Sequence, residues 1–252
     1  MTDLTQLWHF ERPKLAQRLA EQVLTPGQKG QHEKGRIALF GPRQTGKTSL
    51  LRQEVMPRVE AAGALAVYIE CWADKTDPLG SINYALEKAL ENLRVPKRGM
   101  QRVLSTPVKK LGAVGMSLEL GETNERTLPA SKFLRVDALV TALTLETKQD
   151  IVLIFDEFQA LAAAPEADAA AAALRASLTQ ASQRVGAMFS GSSELRLLET
   201  FSRARAPLYG FANPEPYPLL REDFVAHVAR HFKAATQREL GVVDALRVFE
   251  KL

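Results

Sequence analysis

A single cysteine, Cys71, in 252 residues rules out a disulfide framework and fits a reducing compartment. No run approaches the roughly 20 apolar residues that span a bilayer. The amino terminus, Met1 to Phe10, lacks the basic flank and long apolar stretch of a secretory signal. The chain is therefore expected to be cytoplasmic, with no membrane partner. Acids are missing altogether from Arg94 through Lys110, where Arg94, Lys97, Arg98, Arg102, Lys109 and Lys110 accumulate positive charge. Such a stretch suits contact with DNA phosphates or is a solvated face, and no aromatic residue is interleaved to favour the first. What is present suffices for a core: 46% hydrophobic residues allow one large or two small domains.

The most informative segment is Gly41-Pro42-Arg43-Gln44-Thr45-Gly46-Lys47-Thr48, a full match to G-x-x-x-x-G-K-[ST], followed by Ser49. Apolar Ile37-Ala38-Leu39-Phe40 before it suits a buried strand, and Ser49-Leu50-Leu51-Arg52 begins a helical pattern. Gly41 and Gly46 are expected to adopt dihedrals that a side chain would forbid, so that successive N–H groups converge on a triphosphate. Lys47 is placed to reach the β and γ phosphates, and Thr48 to hold one coordination position of Mg2+. The helix beyond aims its positive end at the same anion.

A second element, Ile151-Val152-Leu153-Ile154-Phe155-Asp156-Glu157, is apolar on both faces and ends in two carboxylates, as befits a central parallel strand. Asp156 would sit at the carboxyl end of the sheet, where open α/β sheets bind ligands, and hold the magnesium ion through water or through the Thr48 hydroxyl. Glu157, directly after Asp156, is a candidate base to orient an attacking water. The plainer alternative is a pair of solvated carboxylates capping the next helix.

Between these anchors the pattern predicts helices over residues 11–24, from the glycine-lysine loop to about 62, and over 81–93 and 132–147. A further helix is expected over 160–181, broken or begun near Pro165. Strands are expected over 65–69 and 185–190. Residues 105–121 alternate and carry turn glycines, which reads as a β-hairpin off the main sheet. After the last strand comes Gly191-Ser192-Ser193; Ser192 is a candidate to touch the γ phosphate or the attacking water, or else caps the following helix. Residues 1–219 form the expected core and 220–252 the start of a helical lid. In the lid, His227 and His231 share a helical face but lack a third metal ligand, which leaves an exposed or adenine-adjacent face.

The phosphate loop with Ser49-Leu50-Leu51, the tetrad Asp156-Glu157-Phe158-Gln159, Ser190-Gly191-Ser192-Ser193 and Ala206-Pro207-Leu208-Tyr209-Gly210 together resemble the archaeal-type ATPases of the STAND group, related to AAA+ proteins. Phe10-Glu11-Arg12 looks like that family's entry motif. The resemblance implies an α/β three-layer sandwich in which the strand ending at Ser190 separates the acidic strand from the phosphate-loop strand, then a small helical lid. It implies an ATP- and Mg2+-dependent molecular switch coupled to a protein or nucleic-acid partner, with adenine preferred over guanine. The chain departs from the pattern at Phe211, where the family commonly has a phosphate-sensing arginine; the departure implies either weaker hydrolysis or substitution by Arg203 or Arg205. The chain reaches Leu252 inside the expected lid, so no effector domain is expected in it. A low-turnover nucleotide-dependent scaffold is the alternative, a small-molecule kinase a weaker third, and a homo-oligomer supplying an arginine in trans is left open.

Overall fold

The computed structural model describes residues 9–25, 34–94, 128–220 and 222–249. The expected hairpin and all of the basic stretch beyond Arg94 lie outside the described residues.

Helix α1 (Pro13–Leu24) starts with proline at its first turn, where the missing N–H costs nothing, and buries Ala16, Leu19, Ala20 and Val23. Strand β1 (Arg36–Phe40) leads through the loop into α2 (residues 47–61). That helix is built from a short turn Lys47–Ser49, a π-helical stretch Leu50–Val55 and an α-helical end Met56–Ala61. Then follow β2 (Leu65–Glu70), α3 (Pro78–Arg94), α4 (Lys132–Glu146), β3 (Ile151–Asp156), α5 (Gln159–Ala162) and α6 (Ala167–Gln180). The alanine-rich segment is interrupted at Pro165, because proline removes a helical donor. The described chain finishes with β4 (Val185–Gly191), α7 (Glu194–Ser202), β5 (Asn213–Pro216), α8 (Glu222–Thr236) and α9 (Val242–Phe249).

The five strands are parallel in the order β2-β3-β4-β1-β5, so β4 separates the acidic strand from the loop strand. Every residue of β3 and β4 is buried. Alternation along the strands divides the core between two faces. Phe40, Ile69, Leu153, Phe155 and Phe189 pack towards α3, α4 and α6, while Leu39, Val152, Ile154 and Met188 meet α1 and α2. A sheet clothed on both faces is the three-layer sandwich expected.

Strand β5 has no counterpart in the sequence reading. Its sequence Asn213-Pro214-Glu215-Pro216 reads as a loop, yet it pairs with β1 at the sheet edge. Proline is tolerated there because one side of an edge strand needs no donor.

Candidate nucleotide site

The loop leaves the carboxyl end of β1 and turns into α2. Gly46 has φ 89° and Gln44 has φ 61°, both left-handed, so the loop curls back on itself. Gly41 differs from expectation. Its φ is not positive; a Cβ there would stand 2.9 Å from the Cβ of Tyr217, so it is close approach that demands glycine. Lys47 is only 5% exposed and donates to the carbonyls of Gly41 (2.7 Å) and Pro42. Burial pulls its pKa down, while the neighbouring Glu157 and Asp156 oppose that shift. Thr45 closes the turn through a hydroxyl bond to the Pro42 carbonyl (2.9 Å).

Thr48 faces the acidic strand tip, donating from Oγ1 to Asp156 Oδ2 at 2.6 Å. Asp156, 1% exposed, also accepts Tyr68 Oη on Oδ2 (2.8 Å) and the Glu157 N–H on Oδ1 (3.0 Å). Glu70 on β2 is in register with Asp156, and its Oε2 lies 3.2 Å from the same Tyr68 hydroxyl. Burial, then Asp156, push the pKa of Tyr68 well above its ordinary value; the same causes raise that of Glu70. A buried hydroxyl and carboxylate set of this kind offers hard oxygen donors and surplus negative charge, which fits Mg2+. Among the described residues no group of three or more His, Cys, Asp or Glu is arranged to hold an ion. A cation here would rest on Thr48 and Asp156 together with nucleotide oxygens. His227 and His231, with ring centroids 4.3 Å apart, belong to no such group among the described residues.

Glu157 sits at φ 52°, an uncommon conformation for a glutamate, directly after the strand. Its Oε2 accepts from Ser192 Oγ (3.1 Å) and from Gln159 Nε2. Ser192 Oγ in turn accepts from Gln159 Nε2 (3.1 Å) and Arg43 Nε (3.3 Å), so the hydroxyl's one donor and two acceptor positions are all used. Gln159 accepts the Ser192 N–H on Oε1 (3.3 Å), with Gly191 making room: a Cβ there would lie 2.4 Å from that oxygen. The capping position of α7 belongs to Ser193, which makes no side-chain cap bond, so Ser192 is not the cap. Arg43 lies over the Trp72 ring at 5.0 Å. Loop, strand tip and Ser192 thus converge. Tyr68, Glu70 and Gln159 complete the cluster without having been assigned a role from sequence; Gln159 alone carried a signal, as the last residue of the acidic tetrad.

On the other flank of the loop a cavity of about 290 Å³ is lined by Gln44, Thr45, Gly46, Phe10, Tyr217 and Phe224, among others. The π-helical stretch turns Glu54 inward, where both carboxylate oxygens accept the Arg12 N–H (3.0 and 2.9 Å). The Arg12 guanidinium covers the Tyr217 ring (4.7 Å) and donates to the Pro218 carbonyl (2.7 Å). Phe10 meets Phe224 and His227 edge-on at 5.7 and 5.4 Å. The entry segment, α2 and α8 together wall the cavity.

A larger cavity, about 640 Å³, lies between α6 and α7 and is lined by Arg196, Arg203 and Arg205 but by no residue of the loop. It is the greater hollow, yet the polar convergence is at the loop. Arg203 and Arg205 line this cavity and not the one beside the loop. Phe211 is buried beneath Arg36 (4.2 Å) and Arg175 (5.3 Å) and packs with Phe189. That position serves the core.

No protein-family model matches the chain, and no curated protein is similar to it in sequence. Solved structures are similar in fold. The Walker-type ATPase of Pyrococcus abyssi superimposes with a TM-score of 0.54 at 17% identity, over 96% of this chain and 63% of its own. The ORC2 protein of Aeropyrum pernix in its ADP form gives 0.58 at 16% identity, over 91% and 56%. The ORC1 protein of the same organism, in complex with DNA, gives 0.50 at 14% identity, over 91% and 50%. The chain spans about half to two-thirds of the length of these structures. Among the described residues no helix is long and apolar enough to cross a membrane. Strand order, loop and neighbours agree on one architecture: the chain has the α/β fold of the P-loop nucleoside triphosphatases.

Proposed function

We propose that the chain binds ATP with Mg2+ and hydrolyses it, as a nucleotide-dependent switch of the AAA+/STAND type. The observation that carries this reading is the 2.6 Å bond between Thr48 and Asp156, which joins the phosphate loop to the acidic strand tip. Residues 41–49 cradle the phosphates, and Lys47 exchanges its carbonyl partners for phosphate oxygens. Thr48 and Asp156 hold the ion, which when bound neutralises charge developing on the β and γ phosphates. Glu157 orients the attacking water, with its free Oε1 available while Ser192 and Gln159 fix Oε2. Arg12, Phe10 and Tyr217 frame the adenine cavity.

Burial of Phe211 favours a second reading, a low-turnover scaffold, because no arginine reaches the phosphates from that position. The partner is a protein or DNA; the DNA complex of the structural neighbour and the basic stretch from Arg94 to Lys110 support testing DNA first. Phosphate release from ATP, with MgCl2 or EDTA and with or without duplex DNA, tests the reading. Magnesium-dependent release supports the switch, tight retention without release supports the scaffold, and absence of nucleotide binding refutes both.

A further inference from the structure

We propose that Tyr68 is a positioning residue for the metal-holding carboxylate: its phenol fixes Asp156 so that the Mg2+ affinity of the nucleotide site depends on it. The inference rests on the ATP–Mg2+ reading above and adds a residue that neither the loop motif nor the acidic strand pattern contains.

Tyr68 and Glu70 are two residues apart on β2 and so share a face with Ile154 and Asp156 across the parallel ladder. The Tyr68 ring lies along that face with the Arg52 guanidinium 5.0 Å over its centroid, and it packs against the core cluster formed with α1 and α2. An aromatic side chain on an edge strand is unremarkable. Its hydroxyl, however, turns inward to Asp156 at 2.8 Å.

The acceptor count on Asp156 gives that contact its meaning. A carboxylate has about four lone-pair positions. Glu157 N–H takes one on Oδ1, while Thr48 and Tyr68 fill Oδ2. A single position stays open, on Oδ1, and the Thr48 oxygen keeps its own lone pairs for a cation because its hydrogen is spent on Asp156. Tyr68 and Thr48 grip Oδ2 from β2 and from the loop, so the carboxylate cannot rotate as the ion arrives. Without the phenol the only side-chain donor on Asp156 among the described residues would be Thr48, which would itself hold the ion. Partners that orient a ligand in this way typically change metal affinity by about 10- to 100-fold.

The test is a titration of MgCl2 against binding of a fluorescent ATP analogue by the full chain, in wild type, Tyr68→Phe, Asp156→Asn and the double variant. Tyr68→Phe is expected to raise the magnesium concentration for half-maximal binding about 10- to 100-fold. Affinity for the analogue in EDTA should be unchanged, and the substitution should add nothing in the Asp156→Asn background. A midpoint within twofold of wild type overturns the proposal. So does an equal loss in EDTA, or the same shift in the Asp156→Asn background, since either marks a structural defect. Wild-type binding indifferent to magnesium removes the metal reading itself, and the role of Tyr68 falls with it.

Discussion

Replacing Glu54 with alanine tests how the nucleotide cavity is assembled. Its carboxylate is 4% exposed and receives one N–H, that of Arg12, shared between its two oxygens, so this counts as a single charge-assisted bond. Such bonds contribute about 1.5–3 kcal/mol, and the orphaned N–H keeps the loss near the upper end. His9 Nε2 lies buried 3.2 Å away, and Arg58 at 4.0 Å is partly exposed and adds no more than about 1 kcal/mol. The sum is about 3–4 kcal/mol, which in a chain of this size lowers the melting midpoint by roughly 6–16 °C. Glu54→Gln keeps an oxygen for Arg12 and should lose about half as much. Thermal melting without nucleotide reads the stability, and an ATP-analogue titration reads the cavity, where affinity should fall at least about fivefold, or ~1 kcal/mol, as the Arg12 wall loosens. A Glu54→Ala protein that melts within about 2 °C of wild type and binds equally well would show that the entry segment does not depend on this carboxylate.

Gly191→Ala brings a Cβ to within 2.4 Å of Gln159 Oε1 and 2.1 Å of Leu197, so both side-chain ends must shift and the Gln159 contact with the Ser192 N–H is disturbed; a loss of about 1–3 kcal/mol in melting, with slower ATP turnover than in wild type, is expected. Burial first, then His231, Arg230 and His9, lower the pKa of His227 below 6.5. The unfolded chain therefore takes up the proton first, and stability is lost as pH falls from 6.5 through the lower folded-state value. Melting from pH 7.5 to 5 should show a drop that His227→Phe reduces, and an identical slope in both proteins would contradict it.

The sheet was legible because its central strands are apolar on both faces. Residues 151–155 and 185–190 can be placed nowhere but in the interior, and the glycine-lysine loop orders the rest around them. Strand β5 was illegible, since Pro214 and Pro216 signal a loop unless the strand is known to lie on an edge. The need for glycine at position 41 was readable, but its cause, the Cβ of Tyr217, arrives from 176 residues away in sequence. Glu54 looks like an exposed helical glutamate until the π-helical stretch, which depends on tertiary packing, turns it inward. Tyr68 reads as an ordinary strand residue because only strand pairing reveals that its hydroxyl reaches Asp156. Ser192 was found from the polar ending of a buried strand, whereas the three partners that fix it come from the loop and from both sides of α5's start.

The central claim, that the loop and the strand tip act on one triphosphate, is tested most directly by comparing ATP binding and turnover in wild type, Lys47→Ala and Glu157→Gln. Lys47→Ala should lose binding. Glu157→Gln should retain ATP while turnover falls about 10²- to 10⁴-fold, the range for removal of a general base. Wild-type turnover in the Glu157→Gln protein, or undiminished ATP affinity in Lys47→Ala, would contradict the account.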